Sequence, residues 1–252
     1  MDRLDAALID VPGVAVRVME RCASTNSMLL LDTGTAPVLL AAETQTAGRG
    51  QRGRRWHSAA GADVTFSLAR RIARPVRELS ALSLVAGIAA ATALRQIGVA
   101  QAALKWPNDL MVRGAKLGGI LVETRSEGAA ARAVIGVGVN CSLKPDLQRR
   151  LRRPITALDQ YIDVSRNAVI AALGRSLSAA LERFEGEGFQ ALRREWEAMD
   201  ALAGQRLRVR LANGRSISGV GRGIAADGAL LLHTRRGEQA IHSGRIVSAS
   251  EP

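Results

Sequence analysis

Two short stretches of the 252-residue chain concentrate side chains suited to holding anions. Gly48-Arg49-Gly50-Gln51-Arg52-Gly53-Arg54 carries Arg49, Arg52 and Arg54 on a glycine-rich backbone. Glycines let such a backbone approach a ligand closely, and guanidinium forks hold phosphate oxygens. Trp56 follows in a chain with only 3% aromatic residues, and it suits the covering of an adenine ring. In the second stretch, Lys105-Trp106-Pro107-Asn108-Asp109, Pro107 sets two polar side chains at a strand-to-strand corner. Asn and Asp are ordinary turn formers there, but Asp109 also has the chemistry to hold Mg²⁺ or orient an incoming amine. Lys116 stands on the returning strand before Leu117-Gly118-Gly119-Ile120, so a hairpin brings it back to that corner. Only Lys105, Lys116 and Lys144 among 35 basic residues are lysines, and an ammonium serves as a point charge where a planar fork does not fit.

Gly48 to Gly53 matches G-x-G-x-x-G, but the context of a dinucleotide fingerprint is missing. That motif opens a helix directly after a strand and has an acidic residue about twenty positions on. Here Arg54-Arg55-Trp56-His57 follows, and Arg70-Arg71 occupies the distant position. No G-x-x-x-x-G-K-[ST] phosphate loop occurs either.

The elements that position these residues read as α+β. Val14 to Glu20 alternates like a half-buried strand, Ser24 caps a short helix ending near Gly34, and Pro37 to Glu43 forms a second strand. Thr44 to Gly61 is a long loop without apolar periodicity, and Val64 to Ala69 resumes a β pattern. A long amphipathic helix is expected over Arg77 to Ile97. Leu104 to Trp106, Leu110 to Val112, Leu117 to Thr124 and Ala133 to Asn140 then form antiparallel hairpins, followed by helices over Asn167 to Glu185 and Phe189 to Leu202. Beyond Gly204, turns at Asn213-Gly214, Asp227-Gly228 and Arg236-Gly237 predict a small β-barrel, dividing the chain into domains 1–203 and 204–252.

Composition narrows the class. With 47% hydrophobic and 23% charged residues the chain is globular, and Cys22 and Cys141 suggest neither disulfides nor a zinc site, so a cytoplasmic home is expected. Residues 1–10 lack a signal arrangement, and Ala81 to Leu94 is too short to span a bilayer. The net charge of +12 attracts polyanions in general, and an arginine-rich genome accounts for it equally well.

Ser24-Thr25-Asn26, Gly48 to Arg54 with Trp56, Lys105 to Asp109, Lys116 to Glu123 and Gly136-Val137-Gly138-Val139-Asn140 together resemble the biotin-protein ligase family in order and spacing. The resemblance runs from about Val16 to the carboxyl end. It implies a class II synthetase-like catalytic domain with a largely antiparallel mixed sheet, and an SH3-like terminal barrel. It also implies that biotin and Mg·ATP give biotinyl-adenylate and pyrophosphate, and that a lysine of a biotin carboxyl carrier protein then takes the biotin. Carried over by motif, Lys116, Arg49 and Asp109 are the catalytic set. Ser24, Thr25, Asn26, Gln45, Arg49, Gly50, Gln51, Lys116 and Gly119 bind biotin, and Arg49, Arg52, Arg54, Trp56, Asn108, Lys116 and Asn140 bind the nucleotide. No resident metal ligands, no DNA and no membrane are implied, and the protein is expected as a monomer or homodimer.

Two departures stand out. Gln51 replaces an arginine common in the family, and a neutral amide makes no charge-assisted contact, so a looser hold on the adenylate is expected. Fewer than thirty residues precede Ser24, whereas a winged-helix DNA-binding domain needs on the order of sixty, so a monofunctional enzyme is expected. The rival readings are a lipoate-protein ligase, disfavoured by the polar Ser24-Thr25-Asn26 and Gln45 set, and a basic nucleic-acid-binding module, disfavoured by sparse aromatics and the lack of a recognition signature.

Overall fold

The computed structural model describes residues 2–57, 60–128, 130–143 and 154–250; Lys144 falls outside them. A seven-stranded sheet is built from β1 (Ala15–Cys22), β2 (Val38–Gln45), β3 (Asp63–Ile72), β4 (Ala102–Lys105), β5 (Asp109–Val112), β6 (Ala115–Glu127) and β7 (Ala130–Asn140), in the order β1-β2-β3-β7-β6-β5-β4. The β1–β2 pair is parallel and the other pairs are antiparallel. Helices α1 (Thr25–Leu31), α2 (Leu82–Gln96), α3 (Arg166–Glu187) and α4 (Phe189–Glu197) pack around it. The barrel expected after Gly204 is a five-stranded antiparallel sheet of β8 (Arg206–Arg210), β9 (Ser216–Ile224), β10 (Leu230–Thr234), β11 (Gly237–Ile241) and β12 (Arg245–Ser250).

Strand register decides which side chains share a face. Ser67 pairs with both Leu40 and Gly136, Thr65 with Gly138, Gly119 with Gly138, and Leu121 with Gly136. With a period of two, Val64, Phe66, Leu68, Ile135, Val137 and Val139 therefore face one side, where they join one apolar core with α2 and α3. Thr65, Ser67 and Ala69, Val134, Gly136 and Gly138, and Gly119, Leu121 and Glu123 face the other side. There α1 covers a small cluster of Leu29, Val38, Leu40, Ala69 and Val134. The rest of that face is left for polar work.

Several expected boundaries shift for local reasons. The helix expected from Arg77 begins as a 3-10 segment over Val76–Ala81 and becomes α-helical at Leu82, a common tightening at helix entrances. Together these segments are apolar enough to cross a membrane by length and composition, yet the stretch is 67% buried within the fold. Helix α1 stops at Leu31 and not near Gly34, because Asp32 turns extended and its carboxylate accepts the Gly34 N–H at 2.7 Å. Ser24 caps the helix as expected, its hydroxyl accepting from the Ser27 N–H. The last predicted helix closes at Glu197, earlier than Leu202. The long loop is shorter than expected, since β2 runs to Gln45 and residues Gln51–Gly53 form a 3-10 turn.

One buried cation fastens the first residues to the fold. Arg166, at the first turn of α3, is 4% exposed and donates to Glu43 at 2.7 and 3.2 Å and to the carboxylate and carbonyl of Asp2. Burial pushes the Glu43 carboxyl up, but hydrogen bonds from Arg166 and from the Leu4 N–H outweigh it and hold the group below its ordinary value of 4.5. A lowered folded value means that this stabilisation is complete above about pH 4.5 and disappears as the pH falls through the lowered value. Urea unfolding of Arg166→Met at pH 7 is expected to show a loss of about 3 kcal/mol, because the largely buried Glu43 carboxylate loses its counter-charge. The difference from the unsubstituted protein should shrink as the pH falls below about 4.5; a constant difference down to pH 3 would contradict this account.

Candidate active site

A cavity of about 360 Å³ opens on the polar face of the large sheet, within the size range of small-molecule sites. Its floor is β7 at Gly136 and Gly138. A Cβ at Gly136 would collide with the Asn26 side chain, and one at Gly138 would stand 2.5 Å from the Trp56 indole. Removing both side chains from the strand lets two groups from separate elements lie directly on its backbone. Gly119 does the same for Lys116, whose ammonium lies 3.0 Å from where a Cβ would be.

One wall is the N-terminal end of α1. The Gln45 side-chain oxygen accepts from the Thr25 N–H at 2.8 Å and lies 3.3 Å from the Thr25 hydroxyl. The Thr25 hydroxyl meets Ser67 Oγ at 2.7 Å, and Ser67 donates to Asn26 Oδ1 at 2.6 Å. Asn26 Nδ2 in turn donates to the Leu121 carbonyl and to Glu123 Oε2 at 3.0 Å. Thr25, Asn26 and Ser67 are buried, and the network satisfies them, which fixes where each lone pair and N–H points.

The opposite wall is the glycine-arginine loop, closed on itself by Trp56 N–H to Gly48 O at 2.9 Å and Gly50 N–H to Arg54 O at 2.7 Å. Arg52 takes a left-handed conformation at φ 59°. Its guanidinium leaves the cavity for the Gly244 carbonyl at 2.7 Å and the Ser243 hydroxyl, both at the edge of the small sheet. Arg49 donates to Glu123 and to the Ser27 hydroxyl, and Arg54 lines the cavity. The Trp56 Nε1–H is buried without a hydrogen-bond partner among the described residues.

The hairpin corner completes the site. Asn108 is strapped to β6, donating from Nδ2 to Ile120 O at 2.6 Å and accepting the Ile120 N–H on its own carbonyl at 3.0 Å. Lys116 and Asp109 form an ion pair in which both side chains are mostly buried.

Ser24, Thr25, Asn26, Gln45, Arg49, Gly50, Gln51, Arg54, Trp56, Asn108, Lys116 and Gly119 thus line one cavity. Arg52 and Asp109 line an adjoining cavity of about 250 Å³, which shares Gln51, Arg54, Asn108, Lys116 and Arg245 with the first. Asn140 lines neither. Its side chain is buried and donates to Thr156 O at 2.9 Å, on the segment whose backbone pairs with Lys116. Sequence reading gave no role to Ser67, Glu123 or Arg245. Glu123 ends the motif that begins at Lys116, so its place was marked. Ser67 is one hydroxyl in an apolar strand, and Arg245 reaches the cavity from the small sheet; neither carries a local signal.

The same arrangement appears in known proteins. Residues 18–140 match the biotin/lipoate A/B protein ligase family and residues 203–247 the biotin protein ligase C-terminal domain. The bifunctional ligase/repressor BirA of Escherichia coli is 39% identical over 227 residues, covering 87% of this chain and 70% of that protein. The chain belongs to the biotin protein ligase family. The biotin–[acetyl-CoA-carboxylase] ligase of Mycobacterium tuberculosis is 33% identical, with 91% of this chain and 87% of that one aligned. Biotin protein ligase from Aquifex aeolicus, solved in complex with biotin and ATP, superposes with a TM-score of 0.80 at 25% identity over 94% of this chain and 99% of that chain. The family's mixed α+β architecture with a terminal β-sheet unit is therefore the architecture found here.

Within this biotin protein ligase fold, Ser67 is the junction of the polar wall. Ser67→Ala leaves the buried Thr25 hydroxyl and Asn26 carbonyl each short of a partner, so a loss of about 2 kcal/mol in urea unfolding is expected. A loss under about 0.5 kcal/mol, the size of an ordinary surface change, would show that the network does not hold α1 in place.

Proposed function

We propose that this chain activates biotin with ATP and transfers it to a lysine of a biotin carboxyl carrier protein. The observation that carries this reading is the convergence of widely separated segments on one cavity, with a donor-and-acceptor wall on one side and a cationic loop on the other. A ureido ring needs both donors and acceptors, and Ser24, Thr25, Asn26 and Gln45 present both. The dithiolane ring of lipoate has no N–H or carbonyl to meet this polar wall, so biotin is favoured over lipoate.

In the first step the biotin carboxylate attacks the α-phosphorus of ATP, the bond to the β-phosphate oxygen breaks, and pyrophosphate leaves. Bringing two anions together requires fixed positive charge, and Lys116 and Arg54 supply it at the cavity wall. Lys116 is held by Asp109, so its ammonium is aimed before any ligand arrives. Magnesium would arrive with the nucleotide and would neutralise phosphate charge, and Asp109, on the wall of the adjoining cavity, is the carboxylate that would help hold it. Trp56 covers the adenine side, its orphan N–H offering a donor to the nucleotide. In the second step the acceptor lysine's amine attacks the acyl carbon, loses a proton as the amide forms, and AMP departs. Asn140 supports the Lys116 strand, and Arg52 ties the loop to residues 204–252, which we take as a unit closing one side of the site. The activity belongs in the cytoplasm, where ATP is supplied and the free thiols Cys22 and Cys141 persist.

Calorimetry with biotin and with lipoate, each with and without Mg·ATP, is the direct test. Biotin should bind and lipoate should not, and Gly136→Ala should weaken biotin at least tenfold by displacing Asn26, with the fold intact by circular dichroism. Equal binding of lipoate, or unaltered affinity in Gly136→Ala, would remove the basis of the assignment.

The acceptor is acidic in this reading. Arg206, Arg208 and Arg210 project from the exposed face of β8, Arg245 pairs with Arg210 across β12, and none has an ion-pair partner among the described residues. The stripe ends at the cavity mouth, where Arg245 is part of the lining. Raising salt from about 50 to 200 mM should slow transfer to the carrier more than adenylate formation, and Arg206→Glu/Arg208→Glu should raise the carrier KM about tenfold. Identical salt dependence of the two steps would exclude this surface.

A further inference from the structure

The geometry points to Glu123 as a positioning residue that locks the glycine-arginine loop to the N-terminal end of α1. Its carboxylate is divided between two elements: Oε1 accepts from Arg49 Nη2 of the loop, and Oε2 accepts from Asn26 Nδ2 of the helix at 3.0 Å. Arg49 closes the same link from its other side by donating from Nη1 to the hydroxyl of Ser27, one residue beyond Asn26. Because β6 alternates its faces, Glu123 stands on the cavity face in line with Gly119 and Leu121, at the rim where helix and loop meet.

The remaining attachments of the loop show what this link adds. The hydrogen bonds Gly48–Trp56 and Gly50–Arg54 shape the loop without anchoring it. Arg52 ties it to the small sheet, and Arg55 returns to the carbonyl of Thr46 on the loop's own stem. The stem is also held by backbone bonds from Thr46 and Ala47 to Cys22 and Ala23, and among the described residues Glu123 is what joins a side chain of the loop by charge to the wall that carries Asn26. Both charges are partly screened, Arg49 being 46% and Glu123 21% exposed, so the link is firm enough to bias the loop and weak enough to open. Rested on the ligand assignment above, this makes capture at the helix and closure of the loop mutually reinforcing, since any group that fixes Asn26 also fixes the carboxylate holding Arg49.

Glu123→Gln separates the two halves of the link. Its amide oxygen still accepts from Asn26, while the charge that holds Arg49 is gone. In ligand-free protein, hydrogen exchange of the peptide spanning residues 46–57 should accelerate about threefold to fivefold, with exchange in residues 206–250 unchanged. The double variant Glu123→Gln/Arg49→Gln should exchange no faster than either single one, because the two act through one contact. Biotin affinity of Glu123→Gln should fall less than threefold, whereas the KM for ATP should rise by more. Exchange of the loop at the unsubstituted rate, or multiplied effects in the double variant, would overturn the assignment. Failure of the natural protein to bind biotin would instead refute the ligand assignment and leave the exchange result standing.

Discussion

Position 136 has no side chain, and the rest of the site depends on that. The Asn26 amide lies on the backbone of β7, inside the space any Cβ would take. From there it reaches Ser67, Leu121 and Glu123, which belong to β3 and β6. Two residues along the strand, Gly138 gives the Trp56 indole the same access. The floor of the cavity is thus bare peptide flanked by strands whose opposite faces are packed with apolar side chains. Close-packed interiors do not yield to an added methyl group, so this opening is built in as rigidly as the core beneath it.

The arginine-rich composition resolves into separate structural duties. Arg132, buried at 1% exposure, donates to the carbonyls of Leu29 and Gly34, and Arg125 donates to those of Leu30 and Asp32. Both satisfy the carbonyl end of α1, where cations are favourable, and they hold the helix whose other end forms the polar wall. Arg166 fastens the first residues, Arg49 and Arg52 hold the loop at its two sides, and the stripe on β8 faces solvent. A net charge of +12 is therefore mostly scaffold and surface, with few cations left to face a ligand directly.

The small sheet braces both chemistry-bearing stretches. Trp106 Nε1 donates to the carbonyl of Gly228, and the hydroxyl of Ser80 donates to that of Asp227. Gly228 has φ +85°, a conformation that L side chains avoid, and a Cβ there would stand 3.0 Å from Leu84. The turn therefore seats against the entrance of α2 and beside the Trp106–Pro107 corner, while Arg52 clasps Gly244 on the other side of the site. A unit that looks separable in sequence is part of one continuous apolar core with the large sheet.

The sequence by itself determined the local elements and the chemical inventory. Alternating strands, the Ser24 cap, the glycine turns and the ordered motifs are short-range signals, and each is visible because hydrogen-bonding and steric preferences act over a few residues. The polar wall from Ser24 to Asn26 and the Lys116–Asp109 approach were legible on that basis. Tertiary structure alone decided that Arg52 leaves the cavity, that Asn140 supports a neighbouring strand, and that Ser67, Glu123 and Arg245 enter the site. These residues meet partners 16 to 192 positions away or at the mouth of a cavity shared by several elements. Their placement follows from strand register and sheet docking, which no window of local sequence contains, because a one-residue slip in register would turn every one of those strand side chains to the opposite face.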